Sequence, residues 1–143
     1  MKHLITTKQH AKIDYIWSIA MPLLPWLIGA GPGAKKAMRA ASGIGAAETA
    51  MTDFEGGMKG LLPMQGHLAM DAVLGVGLIG TALFLKNESP LVRGFLAGAG
   101  LFAIAAATLT EPIPHGAGKA HAKETARKMK EHSARLGRIA GSN

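Results

Sequence analysis

The chain has 143 residues, of which 48% are apolar, only 17% are charged and none is cysteine. The charged share is below the roughly 25% of soluble domains, and the missing cysteine excludes disulfides, thiolate metal sites and cysteine nucleophiles. The net charge of +7 is concentrated at the C-terminus, where residues 119–138 hold seven Lys/Arg against Glu124 and Glu131. A basic stretch without interleaved aromatics does not indicate nucleic-acid stacking, so no specific nucleic-acid partner is expected.

Four apolar segments follow one another, over residues 13–30, 37–52, 67–85 and 91–110. A membrane-spanning helix needs about 17–25 mainly apolar residues. The third and fourth segments meet this directly. The first does so if Pro22 and Pro25 are tolerated, as membrane helices allow when neighbours satisfy the freed carbonyls. The second is short, rich in Ala and Gly, and carries Glu48. Gly31-Pro32-Gly33, Gly56-Gly57 with Pro63, Asn87 to Pro90, and Glu111 to Pro114 separate or end the segments. Residues 116–139 then read as a polar, basic helix or tail with a weak apolar stripe, suited to water or a membrane surface. The long start of the first segment, with Asp14 at its edge, argues against a cleaved signal peptide.

An internal repeat organises these segments. His10-x-x-x-Asp14 opens the first, and His67-x-x-x-Asp71 opens the third at an offset of 57. Met51-Thr52-Asp53 closes the second, and Leu109-Thr110-Glu111 closes the fourth at an offset of 58. The expected architecture is all-α and integral to the membrane. Four transmembrane helices form two tandem parallel helical hairpins, residues 8–57 and 65–114, with a basic cytoplasmic tail over 115–143. An even number of spans per repeat makes the halves parallel. Eleven Lys/Arg then share one side with both termini and five lie on the other, which places both termini in the cytoplasm of a multi-pass inner-membrane protein.

The candidate functional or paired polar residues are His10, Asp14, Glu48, Asp53, Glu55, His67, Asp71 and Glu111. Spacing i, i+4 puts each His and its Asp on one helix face, and the parallel repeat brings both pairs, with the Thr-acid ends, toward one membrane surface. A proton relay or a metal site is the functional reading. His and carboxylate suit Zn, Mn or Fe, and His10 and His67 are the only candidate metal ligands. The local reading is preferred here: an acid in a first helical turn complements the macrodipole. Glu48 lies within a span, where ionisable groups are costly and mark function; a structural or interfacial role weighs somewhat more. Gly94 and Gly98 form a GxxxG pair suited to close helix packing, within the chain or between copies.

The order of His10, Asp14, Pro25-Trp26, Thr52-Asp53-Phe54-Glu55, His67 and Asp71 resembles the SPW-repeat integral membrane proteins of bacteria, over residues 8–112. Leu24 stands where that name implies serine, and the second copy has Ala82-Leu83-Phe84 at the corresponding place. The resemblance implies a hairpin-repeat fold and supplies no activity.

No nucleophile elbow, phosphate loop or zinc-protease motif is present in the sequence. The expectation is a non-enzymatic structural or accessory subunit, with the lipid bilayer, other membrane subunits or a second copy as partners and no cofactor assigned. The alternatives are a proton, ion or small-solute transport element using Glu48 and the His/Asp clusters, and a metal- or cofactor-binding membrane protein.

Overall fold

In a computed structural model the described residues are 4–113 with Arg127 and Lys130, and they form four helices and no strand. These are α1 (Thr7–Leu27), α2 (Pro32–Met51), α3 (Met64–Phe84) and α4 (Pro90–Leu109). The tail expected over 115–143 lies, but for Arg127 and Lys130, outside the described residues.

Three of the four helices, α1, α2 and α4, start at a local signal. Thr6 and Gln9 form a capping box: the Thr6 hydroxyl accepts from Gln9 N–H, and the Gln9 side chain accepts from Thr6 N–H at 2.9 Å. This sets the start of α1 six residues before the apolar run begins. Pro32 and Pro90 occupy the first position of α2 and α4, where a missing N–H costs nothing. Ser89 caps α4 by accepting from Val92 N–H. Pro22 and Pro25 stay inside α1. The chain leaves α1 through Gly29 at φ +65°, a left-handed conformation that glycine adopts without strain.

α1 packs mainly on α2, and α3 on α4, giving two hairpins that meet largely through α2 and α3. The hairpins run the same way, so the starts of α1 and α3 and the ends of α2 and α4 gather at one end. Short extended segments repeat the pairing there. Ile5 bridges Thr110 and Leu62 bridges Thr52, both in parallel. Glu111 N–H donates to Ile5 C=O at 3.0 Å, and Asp53 N–H donates to Leu62 C=O at 2.8 Å. Ile5 and Leu62 differ by the same 57 positions that separate the two histidines.

The second hairpin closes through glycine. A Cβ built on Gly75 would lie 2.6 Å from the Gly100 carbonyl, and one on Gly100 would collide with the Gly75 carbonyl. At the matching positions of the first hairpin, Ser42 Oγ donates to Ser18 C=O at 2.8 Å. Gly94 and Gly98 lie elsewhere: a Cβ on either meets nothing within 4 Å. The close contact inside the chain is therefore made by Gly75 and Gly100 and not by the GxxxG pair. The reason is phase, since Gly94 and Gly98 fall on the outward side of α4.

Two apolar clusters fill the interior. Met21, Met38, Leu78, Val92 and Leu96 pack with small alanines along the bundle. Phe54, Met64, Leu68, Ala11 and Ala107 form a smaller group at the end where α1 and α3 begin. α3 and α4 are long and apolar enough to cross a membrane, and only 22% and 33% of their most apolar stretches are buried. The core helix of a soluble protein would hide that surface. Here Val73, Val76, Leu83, Phe84, Leu91 and Leu101 point outward, more apolar surface than monomers usually leave in water.

Candidate functional site

The starts of α1 and α3 bring His10, Asp14, His67 and Asp71 into one cluster. Both histidines are fully buried, and the aspartates are nearly so. His10 Nε2 lies 2.9 Å from Asp71 Oδ2 and 3.4 Å from Asp14 Oδ1. His67 Nε2 lies 3.2 Å from Asp14 Oδ2 and 3.4 Å from Asp71 Oδ2. The two Nε2 atoms are 3.3 Å apart, with the rings edge to face. Each histidine thus meets the aspartate of the other repeat more closely than its own.

The macrodipole does not account for the acids. α1 starts at Thr7 and α3 at Met64, and neither has an acid in its first turn. Asp14 and Asp71 lie about two turns in, beyond the reach of the terminal partial charge. Their place is set by the opposite histidine.

The outer nitrogens determine the chemistry of the inner ones. His10 Nδ1 lies 2.8 Å from Thr110 Oγ1, and His67 Nδ1 lies 2.9 Å from Thr52 Oγ1. Both threonines donate their single hydroxyl proton to a backbone carbonyl one turn back, Ala106 and Glu48 respectively, each at 2.6 Å. A hydroxyl has one proton to give, so each threonine accepts and each Nδ1 donates. Nδ1–H therefore points outward, and both Nε2 atoms turn inward to face two carboxylates. With lone pairs on both Nε2 atoms, the centre would gather negative charge alone. It calls for protons on Nε2 or a cation among the four groups.

The spacing fits a cation. One ligand atom from each of the four residues lies within 4.8 Å of all the others. A tetrahedral ion with ligands at about 2.0–2.1 Å requires ligand atoms roughly 3.3–3.4 Å apart; the two Nε2 atoms and Asp71 Oδ2 lie 2.9–3.4 Å from one another, while Asp14 meets His10 through Oδ1 and His67 through Oδ2. The Nδ1–H bonds to Thr52 and Thr110 fix tautomer and ring direction here, as outer-shell partners do in metal sites.

No family model, curated protein or solved structure matches this chain.

The remaining candidates divide. Glu48 is buried at 1% exposure, and neither oxygen meets a hydrogen-bond donor; its charged neighbours are Asp71, His67 and Asp14. Glu55 stays outside the cluster and accepts from the buried Thr7 hydroxyl at 2.7 Å. Asp53 is exposed in the α2–α3 connection beside Gly60. Glu111 holds the N-terminal segment through its backbone N–H. These three acids gather at the same end of the bundle without reaching the tetrad, because they sit beyond the ends of α2 and α4.

Sequence reasoning missed the parts around the tetrad. Thr49 donates to Asp14 Oδ2 at 3.2 Å, and Phe54 packs its ring 5.6 Å from that of His67. The recurrence of threonine at positions 52 and 110 was the available signal for the two Nδ1 acceptors. A cavity of about 30 Å³ extends from His10, Asp14 and Asp71 toward Trp17, Leu74 and Phe102. It is large enough for a water molecule. Trp17 and Phe102 stack across its apolar end, 5.9 Å apart.

Proposed function

We propose that this protein is a membrane-embedded metal-binding protein, holding one divalent transition-metal ion through His10 Nε2, His67 Nε2 and one oxygen each of Asp14 and Asp71. The observation that carries the reading is the inward pair of Nε2 atoms, both turned by Thr52 and Thr110, facing two carboxylates with one ligand atom of each residue within 4.8 Å of the others. Two neutral imidazoles and two carboxylates balance a divalent charge, which matters in a largely buried site.

The frame for the site is a four-span bundle in a bacterial inner membrane. α3 and α4 meet the span criterion. α1 supports the same role with Ile16, Ile19, Leu23 and Leu27 exposed along it. α2 carries more charge, and its 20 residues are long enough to cross about 30 Å. The Lys/Arg bias puts the site end and both termini toward the cytoplasm. The duplicated hairpin and the residues shared with SPW-repeat proteins support placing the chain in that family.

Metal titration of the purified protein in detergent tests the reading. One equivalent of Zn2+, Mn2+ or Co2+ should bind to the wild type and none to a variant carrying both His10→Ala and His67→Ala. A wild type that binds none of the three overturns it.

A second reading has its own support. The hairpins share few contacts beyond the α2–α3 seam, so the tetrad holding two protons is also a lock between them, as an accessory packing subunit needs. A wild type that stays folded and metal-free under titration favours that reading.

A further inference from the structure

Lys35, Lys36 and Arg39 stand together near the start of α2, at the end of the bundle away from the tetrad and against the positive-inside bias. Lys35 Nζ lies 4.2 Å from the centre of the Trp26 ring, and the Arg39 guanidinium carbon lies 5.7 Å from it. With Lys36 and Pro32 these residues line an open groove of about 420 Å³, and the exposed indole forms one wall. No acid lines it. Glu88, the acid of that end, accepts from Gly31 N–H at 2.9 Å. None of the three cations is ion-paired among the described residues.

This crowding is unfavourable without an anion. Like charges at i and i+4, as Lys35 and Arg39 are, repel on a helix face, and cations near a helix start oppose the macrodipole. Arg39 lies about 10 Å along the helix from Pro32, a depth at which a guanidinium in a bilayer must reach headgroups or water.

The repeat supplies the control. Pro32 and Pro90 both open their helices, so Lys35, Lys36 and Arg39 correspond to Arg93, Gly94 and Ala97. The second hairpin keeps one cation, and Arg93 Nε donates to the Ala82 carbonyl at 2.8 Å. The first has three and hydrogen-bonds none of their side chains to the described chain. The hairpin fold therefore has no need of this cluster. Beside it, Leu23 and Leu27 flank Trp26 in α1 as exposed apolar surface, suited to acyl chains. A phospholipid joins an anion to such chains, whereas free phosphate matches the cations alone.

We propose that this groove binds an anionic phospholipid, with its phosphate among Lys35, Lys36 and Arg39 and its acyl chains along Leu23 and Leu27. This rests on the four-span frame and is independent of the metal site.

The test uses the full chain carrying Trp17→Phe, which leaves Trp26 as the one tryptophan. It is reconstituted in vesicles with brominated phosphatidylglycerol or brominated phosphatidylcholine as quencher. Phosphatidylglycerol should quench Trp26 at an about fivefold lower mole fraction, in line with the attraction of basic clusters for anionic lipid. Adding K35Q, K36Q and R39Q should bring the two lipids to parity. K36Q with R39Q changes only exposed side chains and should lower the preference in the same direction, so it keeps the experiment decisive if the triple change does not fold. Equal quenching before any of these changes overturns the proposal and leaves the spans standing. A preference that survives both sets of changes also overturns it, and assigns the lipid to the basic tail. A preference abolished by inorganic phosphate at constant ionic strength gives the groove to a soluble anion instead. A chain that does not insert into the vesicles removes the four-span frame together with the lipid site.

Discussion

His10 Nε2 on α1 and Asp71 Oδ2 on α3 lie 2.9 Å apart across 61 positions of chain. The contact crosses from one repeat to the other, and His67 with Asp14 returns it at 3.2 Å. The tetrad therefore belongs to neither hairpin. It exists only when the two are side by side, so stability and the proposed ion binding are linked through it.

Replacing His10 or His67 by alanine should abolish metal binding and also loosen the bundle. Each change leaves a buried aspartate without its closest partner, a loss of about 3–5 kcal/mol for a broken buried pair. Metal stoichiometry and thermal unfolding in detergent read the two effects separately. Unchanged unfolding would show that the hairpins do not depend on the tetrad.

Thr52→Val and Thr110→Val remove the acceptors of the two Nδ1–H groups while keeping side-chain shape. Each should weaken metal binding by about 10–100-fold, the usual cost of losing an outer-shell partner. The pseudo-symmetry makes the two losses similar in size. Isothermal titration with Mn2+ or Co2+ measures them, and a loss at one threonine alone would contradict the equivalence of the halves.

Metal affinity should fall as the pH is lowered. The ion and the proton compete for the same Nε2 lone pairs and carboxylate oxygens, so binding releases protons and acid reverses it. Metal-derived stabilisation is then present at neutral pH and lost on acidification. Calorimetry in buffers of different ionisation enthalpy counts the released protons, and a count of zero would mean that the ion is not displacing them.

Gly75→Ala and Gly100→Ala should each destabilise the second hairpin by about 1–3 kcal/mol through overpacking, because the new methyl meets the facing backbone carbonyl. Gly94→Ala and Gly98→Ala meet open space and should be neutral or stabilising by up to about 1 kcal/mol from helix propensity. Unfolding titrations of the four variants give the comparison.

Single cysteines test the four-span topology without background, since the chain has none. Met58→Cys in the α2–α3 connection should label from the cytoplasmic side. Lys36→Cys and Asn87→Cys, at the opposite end of the two hairpins, should label from the other. Lys36→Cys labelling with Met58→Cys would mean that the first hairpin does not cross.

Much of the frame was legible in the residues because it is local. Turn residues divide the chain, apolar runs of membrane length lie between them, and H-x-x-x-D sets a His and an Asp one turn apart on a single helix face. Helix starts were less legible. The polar capping box of Thr6 and Gln9 extends α1 back to Thr7, which moves Asp14 out of the first turn and ends the macrodipole explanation. The glycine pair does not pack inside the chain, for a related reason. Spacing shows that Gly94 and Gly98 share a face, and only the packing of α3 on α4 shows which way that face turns.

By itself, the sequence determined that two copies of one unit follow each other, that each carries a His and an Asp in register, and that the second copy has the apolar length to cross a bilayer. Only the tertiary structure decided that His10 pairs with Asp71 and His67 with Asp14, that Thr52 and Thr110 turn both Nε2 atoms inward, and that Glu48 is enclosed beside them without a donor. The division has a physical cause. Periodicity and capping act within a few residues of chain, whereas the direction in which a buried nitrogen points is settled by hydrogen bonds that span 15 residues in one case and 100 in the other.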